Sequence, residues 1–209
     1  MLHRASLALA PIKRCLSTSV KDARTQALLD RVIRVDHAGE FGADRIYAGQ
    51  LAVLGKTSVG PLIKILLCWS IWSMMVPTFY ESENNLSPCA LEPLVSIMKI
   101  ILVPTFFFSN FVFVWAGTAL LGKEAAMACT VAVEDVIGDH YNNQIRELVE
   151  DDPEKHKELL EIVKKFRDDE LHHHDTGLKY DAEKAPFYGA LTQVIKIGCK
   201  GAIWISERI

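Results

Sequence analysis

"DDELHHHD" (residues 168–175) sets three consecutive histidines among four acids in a stretch with helical periodicity. Glu170 and His173 stand at i and i+3, which puts them on one helix face about 5–6 Å apart at Cβ. Asp169 and His172 share that spacing. Two readings compete: a solvated charged face, or half of a metal site built from a Glu and a His one turn apart. A lone E-x-x-H is a weak motif, so the decision rests on partners elsewhere in the chain.

One set of partners forms an internal repeat. "EFGADRIYAGQ" (40–50) and "EDVIGDHYNNQ" (134–144) share E-x6-Y-x2-Q, with Glu40, Tyr47 and Gln50 matched by Glu134, Tyr141 and Gln144. Glu134 interrupts an apolar helical run, "ACTVAVEDVIG", and Glu40 sits between Gly39 and Phe41. A carboxylate in such a setting must be paired, protonated or bound to a metal. One Glu from each of two helices, with Glu-x-x-His from each of two others, is the ferritin-like di-iron pattern. Two Fe(II) ions bring four positive charges for four carboxylates to neutralise. Imidazole adds a borderline nitrogen donor, and open positions remain for O2.

The rest of the chain supplies helices for such a bundle. Its length of 209 residues, half of them hydrophobic, suits one domain with a sizeable core. A net charge of −3 leaves no nucleic-acid footprint. Five cysteines without C-x-x-C pairing fit a reducing compartment rather than a disulfide scaffold. Periodicity predicts helices over 25–54, about 123–149, a third ending near Gly177, and a last one over 185–206. Asp152 and Pro153 are the expected N-cap and first residue of the third. Residues 1–24 are basic, hydroxyl-rich and free of acid before Asp22, the composition of a mitochondrial transit peptide. Residues 57–122 differ in kind, with only five charged side chains, and 100–122 has none. That last stretch is a membrane-span candidate blunted by Pro104, Ser109 and Asn110.

At the site residues the chain resembles a known family. "DRVIRVDHAGEFGADRIYAGQLAVLGKTSVGP", "AGTALLGKEAAMACTVAVE", "HYNNQIRELVEDDPEKHKELL", "KKFRDDELHHHD" and "ISERI" are similar to the mitochondrial demethoxyubiquinone hydroxylases, the di-iron monooxygenases of ubiquinone biosynthesis. The likeness covers 25–64 and 116–209. It implies an all-α, ferritin-like bundle over 25–209, with Glu40, Glu134, Glu170 and His173 as iron ligands and Glu170 bridging two irons. It also implies hydroxylation of a polyprenylated demethoxy-benzoquinone ring with O2 and NADH-derived electrons. The family works peripherally on the matrix side of the inner mitochondrial membrane, with a lipid-binding partner and other quinone-biosynthesis proteins.

The pattern breaks in the second-helix region. The family's other E-x-x-H belongs soon after "GKTSVGPLIK", where the corresponding positions fall near Ser70 and Ser73. No histidine lies between His37 and His140, and the only acids over 57–122 are Glu81, Glu83 and Glu92. Residues 65–115 therefore read as an irregular hydrophobic segment, either an alternative coding of this region or a true divergence. Three matched carboxylates leave two Fe(II) ions about one charge short, so weak metal binding and failed two-iron O2 activation are expected. A non-catalytic, membrane-associated scaffold subunit of the quinone-synthesis complex is the competing reading, and iron content separates the two.

Other residues carry open readings. His37 is a core or interface histidine, or a support for Glu40. Tyr47 and Tyr141 pack the core or place hydroxyls near the metal. His172 and His174 face solvent or act as outer donors, His140 is surface or outer, and Cys129 is an inert buried thiol. The last helix is a core helix or, with Lys196, Lys200 and Arg208 beside an apolar face, one lying on an anionic membrane.

Overall fold

The structure, a computed structural model, describes residues 20–69 and 116–208, with side chains from residue 23. Among these residues every regular element is helical. The long helices are α1 (Val20–Leu54), α2 (Lys123–Asp151), α3 (Lys157–Lys179) and α4 (Tyr188–Ser206). A 3-10 turn, Ala182–Lys184, precedes α4, and residues 60–69 and 116–120 are also helical. The all-α expectation holds. The irregular segment lies outside the described residues from 70 to 115, as does all of the membrane-span candidate before residue 116. Among the described residues no helix is long and apolar enough to cross a membrane.

Helix α2 is the hub, packing against α1, α3 and α4. Ten consecutive residues, Ala125–Glu134, are buried, so this stretch is enclosed on all sides. Small side chains at 125, 126, 128, 129 and 132 permit that close approach. The tightest point is Gly177 of α3, where a Cβ would lie 2.7 Å from Val131 Cγ2 and 3.2 Å from the Met127 carbonyl. Helix α3 turns a stripe of Leu159, Leu160, Val163, Phe166 and Glu170 inward. An acid is thus carried on an otherwise apolar face.

Helices α1 and α2 run antiparallel in a register that side chains spell out along their length. Thr25 meets Asp151, Arg31 meets Glu147, Asp36 meets Gln144, Tyr47 meets Glu134 and Gln50 meets Ala126. Partner numbers fall on α2 as they rise on α1. This brings Glu40 and Glu134 into one region of the bundle.

Three helix starts differ from the predicted ones. Helix α1 begins at Val20 and so takes in the last five residues, 20–24, of the span expected as transit peptide. Helix α3 begins at Lys157 rather than after Asp152. The Asp152 side chain caps only a turn, accepting the Lys155 N–H at 3.1 Å, because buried His156 bonds Asp151 Oδ2 at 2.8 Å. Thr25 Oγ1 donates to the same oxygen, also at 2.8 Å, so the α2–α3 joint is tied to α1. Helix α4 begins at Tyr188 because Pro186 holds Ala185 extended (ψ 141°) and Phe187 is left-handed (φ 54°).

Candidate metal centre

Glu134 from α2 and Glu170 and His173 from α3 offer ligand atoms that all lie within 4.8 Å of one another. The i,i+3 spacing does what the helix geometry predicts: His173 Nδ1 is 3.2 Å from Glu170 Oε2. Trp69, at the end of the helical stretch 60–69, stands edge-on to His173 with ring centroids 6.0 Å apart. Lys165 Nζ caps the same indole, 4.8 Å from its centroid.

Glu40 stands beside this trio but outside it. Its carboxylate is buried and accepts the Tyr141 hydroxyl at 3.4 Å. It lines, with Glu134 and Glu170, a cavity of about 70 Å³. The cavity wall is largely apolar, formed by Gly39, Gly42 and Ala43 of α1 and Gly198 and Ala202 of α4.

Burial dominates the electrostatics. It raises Glu40 and Glu134 well above the carboxylate range, and the repulsion of Glu134 for Glu40 and of Glu170 for Glu134 adds to this. Glu170 is pushed up to about 8, by burial first and by Glu40 second. Among the described residues no lysine or arginine is buried. These acids must therefore hold protons or share an external cation. Hard carboxylate oxygens beside one imidazole suit a divalent transition ion, so the residues present fit a metal.

Asp36 was missed by sequence reasoning. It is buried one turn before Glu40, bonds Gln144 Nε2 at 2.6 Å, and is pushed up to about 7 by its burial. The signal was present: Asp36 precedes Glu40 by four residues, which places both on one helix face. The tyrosines reach the glutamates, but crosswise: Tyr47 Oη donates to Glu134, and Tyr141 Oη to Glu40. His140 lines the cavity and contacts Gln144 at 3.0 Å; burial lowers its pKa. His172 is exposed and His174 pairs with Asp175, so neither joins the trio; nor does half-buried His37. Cys129 is fully buried, and that burial pushes its thiol far up, in keeping with an inert group.

A helical bundle thus gathers two buried carboxylates and a histidine into one candidate metal site. The family model for "Ubiquinone biosynthesis protein COQ7" matches residues 27–206, and the chain belongs to that family. The match runs from one side of the 65–115 segment to the other. Among its relatives is the Homo sapiens NADPH-dependent 3-demethoxyubiquinone 3-hydroxylase, mitochondrial, 53% identical over 190 residues (90% of this chain, 81% of the relative). The Saccharomyces cerevisiae 5-demethoxyubiquinone hydroxylase, mitochondrial, is 41% identical over 204 residues (91% and 82%). The Rhodospirillum rubrum 3-demethoxyubiquinol 3-hydroxylase is 41% identical over 192 (90% and 82%).

Proposed function

We propose that this chain is a demethoxyubiquinone hydroxylase, an oxidoreductase that adds a hydroxyl to the ring of a polyprenylated demethoxy-benzoquinone. The observation that carries the reading is the trio of buried Glu134 and Glu170 with half-buried His173 within a chain of this family. Glu134, Glu170 and His173 would hold iron, with the buried Glu40 carboxylate beside them. Bound iron supplies the activation of O2 that ring hydroxylation needs. The chain's own contribution is a largely apolar wall of small residues beside the carboxylates, where a quinone ring would enter by widening the cavity between α1 and α4. The human relative's name specifies NADPH where the resemblance implied NADH, so a reduced nicotinamide is the electron source in either case.

The relatives' names also support a mitochondrial address, and the basic, acid-poor composition of residues 1–24 makes that stretch the import signal. Helix α4 is the membrane contact. Phe187, Val194, Ile197 and Trp204 are exposed, and Arg208 lies 4.1 Å over the Trp204 ring. Apolar side chains flanked by Lys200 and Arg208 suit an anionic inner-membrane surface, where a prenyl tail would leave the bilayer, and a lipid-binding partner could meet the same face. All three relatives are named as hydroxylases, which leaves the scaffold reading without a supporting observation.

The test is turnover of a short-tailed demethoxyquinone by the iron-loaded chain under 18O2 with NADPH or NADH. One 18O in the product ring supports the assignment. An iron-loaded, folded chain that leaves the quinone untouched under both reductants overturns it.

A further inference from the structure

The two repeats exchange hydrogen bonds instead of keeping them. Each tyrosine follows its own repeat's glutamate by seven residues, about 10 Å along a helix axis, too far to serve that carboxylate. The antiparallel register removes the gap. Tyr47 on α1 comes opposite Glu134 on α2, and Tyr141 on α2 comes opposite Glu40 on α1. All four side chains are buried, at 3%, 3%, 2% and 6% exposure respectively. Core packing alone would be served as well by phenylalanine, which carries no hydroxyl to satisfy. In both contacts the hydroxyl goes to Oε1, leaving the other carboxylate oxygen of each glutamate clear of the tyrosine.

We propose that Tyr47 and Tyr141 are positioning residues, each fixing the glutamate of the opposite repeat, so that the donor oxygens are set before a metal arrives. The two helices thereby hold one another's ligands. Separating α1 from α2 would release both carboxylates together, whereas loss of one hydroxyl releases only the carboxylate across from it. This deepens the metal-centre reading and rests on it.

Co(II) is the probe, added to the full-length, metal-free chain. Tyr47→Phe is expected to weaken Co(II) binding by about ten- to a hundredfold, the usual cost of losing a ligand's hydrogen-bond partner. It should also shift the visible Co(II) absorption. Urea unfolding of the metal-free chain then reads the crossing directly. Y47F should couple to E134Q and add independently with E40Q, while Y141F should show the reverse. Y47F that binds Co(II) as tightly as wild type with an unchanged spectrum overturns the proposal, as does coupling within a repeat rather than between repeats. If Y47F does not fold, Y141F with E40Q and with E134Q carries the same test. Wild-type chain that takes up no Co(II) sinks the metal-centre reading itself, and a failed tyrosine effect on a wild type that does bind sinks only the positioning role.

Discussion

Glu170 is the residue on which most converges, and its environment gives a pH dependence with a definite sign. Its folded-state pKa of about 8, and that of Asp36 at about 7, both lie above their ordinary carboxyl values. An unfolded chain gives up these protons first, while the fold retains them. Stability of the metal-free protein should therefore fall as pH rises from the ordinary carboxyl range to about 8. Metal binding should tighten over the same interval, because the ion displaces the protons. Urea melts in chelator at several pH values check this, and a slope of the opposite sign refutes it. Glu170→Gln should flatten that slope and abolish metal uptake. The sequence offered Glu134 as an acid inside an apolar run and Glu170 with His173 by their i,i+3 spacing, and the family resemblance joined Glu40 to them as ligand candidates. Asp36 was not, since "RVDHAGE" looks like an ordinary polar stretch until the face it shares with Glu40 is seen to be buried. The crossed tyrosine contacts depend on the register between two helices about ninety residues apart (94 between Glu40 and Glu134), which no local pattern encodes.

Among the elements, the helix interiors were readable from periodicity and the helix starts were not. Asp152-Pro153 has sound N-terminal chemistry, yet a buried histidine three residues later moved the start to Lys157. The α2–α3 contact makes a sharper demand. Gly177→Ala would drive a methyl into Val131 and the Met127 carbonyl, and should cost about 1–3 kcal/mol in chemical denaturation. A loss within about 0.5 kcal/mol, the range of ordinary surface changes, would show the helices are not so closely apposed. Helix α4 makes a different prediction. Replacing Ile197 and Trp204 together by serine removes two exposed apolar groups, each worth about 1.5–3 kcal/mol when fully buried. Sedimentation with anionic vesicles should show binding weakened at least tenfold, with the helical content of the chain unchanged.

For the molecule as a whole, the donor count sets the metal stoichiometry. The described residues bring one imidazole to the centre, and the whole span from 38 to 139 contains no histidine. We expect one tightly bound iron per chain, with hydroxylation well below that of a relative holding two. Elemental analysis after desalting reads the number directly, and two tightly held irons would overturn that expectation. Occupancy should also stabilise the entire bundle by about 2.7 kcal/mol at a hundredfold excess over the dissociation constant, seen as a chelator-reversible rise in melting temperature. The link from Thr25 to Asp151 at the far end of α1 bears on how the protein is made. Cleavage of the chain past residue 25 would strip out a buried hydroxyl that bonds Asp151 at the α2–α3 corner. With residues 1–24 as the import signal proposed above, the architecture sets a downstream limit on where that signal can be removed.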